Sequence, residues 1–298
     1  MANTINLVTK FLEIVDAVYK KESLTARLDA MTRSVDFAGA NAVKVMKLST
    51  VGLGTYSRTA GYPAGDITAE WETMTLATER GRAFSLDRMD NDETLGLVLG
   101  NLIREWMRVH VAPELDAYRF AKYFTATDGA NRVSSAAALS TAANVLTAFD
   151  VGMAALDDDE VPAEGRILYI STGCYNLLKG ALTRSWASEG SVDRSLETLD
   201  RVTVVPVPQA RFYTAVTLNA GATSSAGGFA KTGGAHDINF LIVHPTAVLQ
   251  PVKLNNVKYF SPDVNQISDG HLWQYRLYHD AFVYDNKVNG IYAHDKNS

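Results

Sequence analysis

The stretch EWMRVHVAPELDAYRFAKY, Glu105–Tyr123, decides how this chain folds. Its apolar residues recur at spacings of three and four, a period that predicts a helix. Asp90 and Glu93 form a capping box upstream, so we expect the helix to begin there. Pro113 lacks an amide proton and should kink or restart the helix, which then continues to about Phe124. Roughly thirty helical residues span about 45–50 Å, which predicts an elongated subunit.

The chain before this helix has the alternating residues of two β-strands. We expect one strand at Val51–Thr55 and another at Trp71–Leu76, where odd and even residues face opposite sides. The turn between them, Thr59–Ile67, is too long for a tight hairpin. A two-stranded ribbon is marginally stable alone in water, and no third strand lies beside it in sequence. We therefore expect the ribbon to pack against a neighbouring molecule.

The remaining segments alternate between helical and strand patterns. An amphipathic helix is predicted at residues 4–20, and residues 21–47 lack a second apolar stripe, as in an arm that packs outside its own fold. Residues 219–235 predict a Gly/Ser/Ala loop. The other predicted helices are Leu139–Leu156 and Tyr175–Leu182, and the other predicted strands are Arg166–Ser171, Val202–Val207, Ile238–Val243, Leu254–Phe260, Trp273–Tyr284 and Lys287–Tyr292. These elements together predict an α+β fold.

Composition excludes several classes of protein. The 298 residues are 47% apolar, enough for a sizeable core, and the net charge of −5 is too mild for a dedicated nucleic-acid binder. The single cysteine, Cys174, excludes an intrachain disulfide and fits a reducing compartment. Charged residues interrupt the first thirty positions, so we expect no signal peptide. Every apolar run is far shorter than the ~20 residues that cross a bilayer, so we expect no membrane contact.

No catalytic constellation stands out in the sequence. The loop Gly221–Gly234 contains Lys231 and Thr232, as a phosphate-binding loop would, but a strand rather than a helix follows it. The adjacent acids Asp157–Glu160 cannot converge on one cation as spaced ligands do. Cys174 has no histidine partner that can be assigned by position, which favours an inert core role. We therefore predict no catalytic residue, no cofactor, no metal site and no enzyme activity.

Four stretches carry a resemblance to a known family. They are MANTINLVTKF at the start, ERGRAFSLDRMDNDETLG at Glu79–Gly96, the helix sequence Glu105–Tyr123, and LWQYRLYHDAFVYDNKVNGIY at Leu272–Tyr292. With the order of arm, ribbon, long helix, α/β unit and closing strands, they resemble the major capsid proteins of tailed bacteriophages, which have the Hong Kong 97-like fold. The resemblance covers nearly the whole chain and rests on the number and order of loose patterns.

The resemblance implies a division of the chain. Residues 1–49 would form an N-terminal arm, 50–84 an extended loop, 85–130 a peripheral domain with the spine helix, 131–245 an axial domain, and 246–298 the return strands of the peripheral domain. It also implies the function of a head protein that self-assembles into pentamers and hexamers. These would tile the icosahedral shell around the double-stranded DNA genome of a phage.

The resemblance also implies partners and a location. The partners would be other copies of the chain, scaffolding, portal and decoration proteins, and packaged DNA bound without sequence preference. The protein would reside in the virion after assembly in the host cytoplasm. No scaffolding extension precedes the arm, so a separate scaffolding protein and an extension removed earlier both stay open. Two alternatives also stay open, an encapsulin-like shell around a cargo enzyme and a mixed α/β enzyme.

Charges of the extended loop are candidates for contacts between subunits. We expect arginines of one copy to pair with acids of another, although a merely solvated ribbon face is the alternative. An exposed pair contributes about 0–1 kcal/mol, but a shell repeats each pair over all subunits. The candidate residues are Arg58, Arg80 and Arg82, with Asp66, Glu70 and Glu72.

The same loop lacks the nucleophile for a covalent link. No lysine lies between Lys47 and Lys122, and arginine stays protonated, so a loop amine cannot attack an asparagine of a neighbour. We therefore expect a shell held by non-covalent contacts.

Overall fold

A computed structural model describes most of the chain. The described residues are 22–29, 41–59, 61–93, 97–136, 139–181, 185–186, 192–193, 196–222 and 226–297. The helix predicted at residues 4–20 lies outside them. Within these ranges, no helix is both long enough and apolar enough to cross a membrane.

The described elements mix helices and strands along the chain. The helices are α1 (Ala26–Asp29), α2 (Arg88–Glu93), α3 (Leu97–Trp106), α4 (Ala112–Gly129), α5 (Ala142–Asp158) and α6 (Thr172–Ala181), with a π-helical turn at Met107–Val111 and 3-10 helices at Gln209–Arg211, Pro245–Ala247 and Asp285–Gly290. The strands are β1 (Ala42–Thr50), β2 (Ile67–Thr75), β3 (Thr78–Asp87), β4 (Val133–Ala136), β5 (Ile167–Ser171), β6 (Ser185–Trp186), β7 (Val192–Asp193), β8 (Thr198–Leu199), β9 (Val202–Val207), β10 (Val216–Leu218), β11 (Phe229–Lys231), β12 (Asp237–Val243), β13 (Val248–Leu249), β14 (Val252–Phe260), β15 (Gly270–His279), β16 (Phe282–Val283) and β17 (Ile291–Lys296).

The spine helix, Leu97–Gly129, consists of α3, the π-helical turn and α4 without a break. At 1.5 Å per residue it is about 50 Å long, as predicted. The π turn closes where the Ala112 amide donates to the Met107 carbonyl. Pro113 lies directly after this π turn, in the first turn of α4. The backbone stays helical at Val111 and Ala112, so the predicted kink or restart at Pro113 takes the form of this π turn, and the helix continues five residues beyond Phe124.

The predicted start of this helical region is wrong. α2 begins at Arg88, and Asp87 Oδ1 accepts a hydrogen bond of 2.9 Å from the Met89 amide, as an N-cap does. Asp90 lies inside α2. The sequence pattern indicated Asp90 because Glu93, three residues later, completes a capping-box pattern with it.

The ribbon, formed by β1 and β2, is a two-stranded antiparallel sheet as predicted. Its first strand is Ala42–Thr50, so the expected strand at Val51–Thr55 is wrong. At the root of the ribbon, Val43 faces Met74, and both are buried in a cluster with Leu249. This root attaches the ribbon to the rest of the subunit.

β3 leaves the ribbon and enters a second sheet with the order β14-β15-β3. The spine helix covers part of this sheet, because the Trp106 ring contacts Phe84 and Tyr275 at centroid distances of 5.2 Å. Both contacts are edge-on, the arrangement that aromatic quadrupoles favour. The charges of Arg80 and Arg82 therefore lie on this sheet and not on the ribbon.

The largest sheet has six strands in the order β4-β17-β12-β5-β9-β8. One face packs against the spine helix through residues such as Phe120 and Tyr123, and the other packs against α5 and α6 through Phe149 and Leu178. A sheet buried on both faces requires continuous apolar strands, which explains the fully buried run Ile167–Ser171.

Most of the C-terminal half follows the predictions within a few residues, but three details differ. The predicted strand Lys287–Tyr292 is mainly the 3-10 helix Asp285–Gly290, and the following strand β17 pairs with β12 and β4 rather than with β16. The predicted strand Trp273–Tyr284 is interrupted after His279. The predicted loop 219–235 includes β11, which pairs with β10 as a hairpin.

Candidate functional site

The ribbon exposes one apolar face. Met46 lies directly opposite Trp71, and the next apolar residues on this face are Leu48 and Ile67. Their relative exposures are 59% for Met46, 57% for Leu48, 74% for Ile67 and 64% for Trp71. A contiguous exposed apolar surface of this kind marks an interaction site in a folded protein.

The tip of the ribbon, residues 51–59 and 61–66, continues this apolar surface. The backbones of Ser57 and Gly61 exchange hydrogen bonds of 3.1 and 2.8 Å, which closes a small turn. Gly61 has φ +81°, a backbone conformation that suits glycine. On either side of this turn, the exposed rings of Tyr56 and Tyr62 contact each other at 5.0 Å. Leu53 is fully exposed.

The structure separates the six charged residues predicted for subunit contacts into three groups: the ribbon tip, the ribbon strand β2, and β3, which carries Arg80 and Arg82. Arg58 and Asp66 are exposed at the tip. Glu70 and Glu72 lie on β2 beside Lys47, whose Nζ donates to Asp285 Oδ2 at 2.9 Å. Partial burial and the Asp285 charge raise the pKa of Glu72.

Arg80 is held within its own chain. Its Nε and Nη2 donate to the two carboxylate oxygens of Glu114 at 2.6 and 3.1 Å, and its Nη1 donates to the Asn219 carbonyl at 2.8 Å. A bidentate pair of this kind fixes the orientation of the guanidinium. Arg80 therefore joins β3, the spine helix and the hairpin.

Arg82 also contacts the hairpin of its own chain. Its Nη1 donates to the Ala226 carbonyl at 2.8 Å. A Cβ added at Gly221 or Gly227 would lie 3.0 or 3.3 Å from that nitrogen, and both glycines have positive φ angles of +69° and +146°. The glycines of this loop therefore admit the Arg82 guanidinium, whereas the sequence suggested only a solvated loop.

Asp116, a residue that the sequence analysis missed, anchors the segment 22–29 on the spine helix. Its carboxylate is fully buried and accepts hydrogen bonds from the Ser23 hydroxyl at 2.8 Å, the Thr25 hydroxyl at 2.7 Å and Arg211 Nη1 at 3.0 Å. Buried charges are tolerated when they are paired and hydrogen-bonded in this way. Because Leu28 is also fully buried, this part of the predicted arm belongs to the subunit core.

A second buried carboxylate, Asp280, joins the ribbon root to the spine helix. It accepts hydrogen bonds from the Tyr118 hydroxyl at 2.8 Å and the Ala77 amide at 2.9 Å. Tyr118 also contacts the buried ring of His279 edge-on at 5.4 Å. Desolvation, followed by the Arg119 charge, lowers the pKa of His279 to about 4. His279 is therefore neutral at pH 7.

A pocket of about 330 Å³ lies between the hairpin, β3 and the spine helix. Its floor contains Phe84, Trp106 and Tyr275, and its titratable lining residues include Glu114, which is paired with Arg80, and the neutral His279. The described lining contains no serine, threonine, cysteine or lysine nucleophile.

The structure also shows the surroundings of two other candidates from the sequence analysis, Cys174 and the acidic run Asp157–Glu160. Cys174 is buried, burial raises the pKa of its thiol, and its Sγ lies 3.7 Å from Asn239 Oδ1, as expected of a core cysteine. In the acidic run at the end of α5, Asp157 and Asp159 pair with Arg166 and Arg132. Across the described residues, no group of three or more His, Cys, Asp or Glu side chains could hold a metal ion.

Comparisons with solved structures show the fold of nearly the whole chain. It is similar to a chain of Mycobacterium phage Che8 with a TM-score of 0.65 and 12% identity, covering 99% of both chains. It is similar to a chain in the capsid structure of the cyanophage P-SCSP1u (TM-score 0.67, 12% identity, 97% and 92% covered) and to one in the mature capsid of bacteriophage PhiM1 (TM-score 0.64, 13% identity, 97% and 91% covered). No protein-family model and no curated protein sequence matches the chain.

These similarities confirm the predicted α+β class and the resemblance to phage capsid proteins at the level of the fold. The name Hong Kong 97-like and the division into arm, loop, peripheral and axial domains stay predictions. β17, which that division places with the peripheral return strands, pairs with β12 of the proposed axial part.

Proposed function

We propose that this chain is the major capsid protein of a tailed bacteriophage. It assembles into pentamers and hexamers that form an icosahedral shell around double-stranded DNA. The shell defines its location as the virion, after assembly in the host cytoplasm. Scaffolding, portal and decoration proteins are further proposed partners.

The ribbon is the observation that carries this proposal. Its outer face holds Met46 and Trp71 in a directly opposed, exposed pair, while its root is buried in its own subunit. Burial of apolar surface contributes roughly 25 cal/mol per Å², so such a face is stabilised when another molecule covers it. The fold shared with chains of phage capsid structures supports a second copy as that molecule.

Non-covalent contacts hold the proposed shell. Among the six charged candidates, Arg58, Asp66 and Glu70 are exposed, so they are the ones we propose for contacts between copies. Arg80 and Arg82 contact Glu114 and the hairpin of their own chain.

Size-exclusion chromatography with light scattering tests the proposal. The purified chain should elute as rings or shells whose mass is a multiple of the 32.4 kDa subunit. Boiling those particles in detergent and reductant should return only the single-chain band. A monomer at high protein concentration would contradict the proposal.

An encapsulin-like shell is the second candidate, and the content of the particles separates it from a phage capsid. Particles assembled during infection should contain double-stranded DNA. Particles that hold a cargo protein bound to their inner surface and no DNA would favour the encapsulin-like function.

A further inference from the structure

Two strands of this chain have an unpaired edge and opposite charge. β14 is the outer strand of its sheet and pairs only with β15 among the described strands, and β2 pairs only with β1. β14 carries Lys253 and Lys258 and no acid, whereas β2 carries Glu70 and Glu72 and no base. An exposed edge of this kind presents backbone donors and acceptors to another strand.

β14 also leaves part of an apolar face uncovered. Val257 and Tyr259 lie opposite Tyr275 and Trp273, which are buried on the side of the spine helix. The spine helix does not cover the outer strand, so Val257 is 41% exposed and Tyr259 is 48% exposed. An added strand would cover this margin of the sheet.

We propose that β2 of a second copy adds to the free edge of β14, with Glu70 opposite Lys258. The ribbon of one subunit would thereby extend the three-stranded sheet of the next to five strands. This inference rests on the proposed function, because it describes how the copies of the shell join.

In the proposed register, opposite charges meet on one face of the joined sheet and apolar side chains meet on the other. With Glu70 opposite Lys258, Trp71 lies beside Val257 if the strands are antiparallel and beside Tyr259 if they are parallel. In both cases its ring continues the apolar face, since side chains alternate along each strand. β1 is the less suitable strand because it carries Lys44 and Lys47 and no acid, so it offers the lysines of β14 no opposite charge.

The added ribbon must come from another molecule. β2 leads through Leu76 and Ala77 into β3, which is the opposite edge of the sheet, and β15 lies between β3 and β14. Val43 and Met74 are buried at the root of the ribbon, and they hold that end of the ribbon against its own subunit. A contact between two different surfaces, repeated by rotation, closes into a ring.

Cysteine cross-linking of the full chain tests the pairing. In the variant Glu70→Cys/Lys258→Cys, mild oxidation of assembled particles should give a ladder of covalent multimers, because each subunit carries both partners. Mixing the two single variants should give covalent dimers only. Native Cys174 is buried, so the unsubstituted chain is the blank. The variant Asp150→Cys/Lys258→Cys is the matched control, since Asp150 is an exposed acid on α5, and it should give no ladder.

Charge exchange provides a second measurement that does not depend on cysteine geometry. Glu70→Lys and Lys258→Glu should each raise the protein concentration needed for assembly roughly two- to fivefold, as expected for an exposed ion pair. The double exchange should restore the original concentration. Normal particles without a ladder or without this restoration would overturn the pairing and leave the proposed function intact. A native chain that never assembles would overturn both.

Discussion

The Thr25 hydroxyl donates a 2.7 Å hydrogen bond to the buried carboxylate of Asp116, and this contact joins the N-terminal segment to the spine helix. Arg211 approaches the same carboxylate from the far side of the core at 3.0 Å. One side chain therefore links three segments that lie more than 90 positions apart in sequence.

Replacing this carboxylate should destabilise the subunit strongly. Asp116→Ala removes the carboxylate that pairs with the buried Arg211 guanidinium, and loss of one partner of a buried ion pair costs about 3–5 kcal/mol of unfolding free energy. Urea denaturation measures the loss. Asp158→Asn, an exposed change at the end of α5, should stay within about 0.5 kcal/mol of the native chain. Equal effects of the two substitutions would show that the Asp116 network contributes nothing.

His279 should make the stability of the subunit depend on pH. Its pKa is about 4 in the folded chain and about 6.5 when unfolded, so between these values the unfolded state binds more protons. The resulting stability is fully present above pH 6.5, and about 3 kcal/mol is lost as the pH falls through 4. Urea midpoints measured from pH 7 to pH 4 should show this loss.

Two variants assign the pH response to His279. His279→Gln should flatten the profile over this range, although the remaining slope from buried His244 and His294 has the same sign. The exposed substitution Gln266→Asn changes no titratable group and should leave the profile of the native chain unchanged. A steep acid response that persists in His279→Gln would refute the assignment.

Two helical glycines should respond oppositely to alanine. A Cβ at Gly152 in α5 would lie 2.7 Å from Tyr292 Cδ1 and 3.1 Å from Ile242 Cδ1, whereas a Cβ at Gly180 in α6 meets no atom within 4 Å. Gly152→Ala should cost about 1–3 kcal/mol through overpacking. Gly180→Ala should be neutral or stabilising by up to about 1 kcal/mol. Thermal unfolding of both variants gives the comparison, and stabilisation by Gly152→Ala would contradict the close packing of α5 on the sheet.

Charge reversal at Arg58 should affect assembly, whereas charge reversal at Arg82 should affect the stability of the subunit. Arg58→Glu changes an exposed tip residue and should hinder assembly while the unfolding temperature of the subunit stays constant. Arg82→Glu removes an exposed hydrogen bond to Ala226 and should cost about 0.5–1.5 kcal/mol of subunit stability. Unfolding temperature and particle yield, measured on the same samples, separate the two effects. A stable subunit in Arg82→Glu would show that its contact with the hairpin is unimportant.

The sequence correctly predicts the position of those helices and strands whose apolar residues follow a single, regular pattern. α5 repeats its apolar residues every three or four positions, and β9 is a short, largely buried strand whose bounds, Val202–Val207, match the prediction. β1 was misplaced because both of its faces carry apolar residues. Val43 faces the core and Met46 faces outward, so the strand lacks the alternation of apolar and polar residues that identifies a half-buried strand.

The buried charges could not be identified from the sequence alone. Asp116 lies in a helical stretch where an acid usually faces water, and its partners Thr25 and Arg211 belong to distant segments. Arg80 and Arg82 alternate with apolar residues in a strand next to the ribbon, a pattern equally typical of an exposed ribbon face. The pairing of β3 with β15 places both arginines on the subunit's own sheet, and their hydrogen bonds to Glu114 and Ala226 show the contacts.

Negative-stain electron microscopy of the purified chain tests the central claim that it is a shell-forming capsid protein. The account predicts closed icosahedral particles, or rings of five and six subunits. A homogeneous monomer would contradict it, most clearly if its radius of gyration in solution were near the ~19 Å of a compact globule of this length.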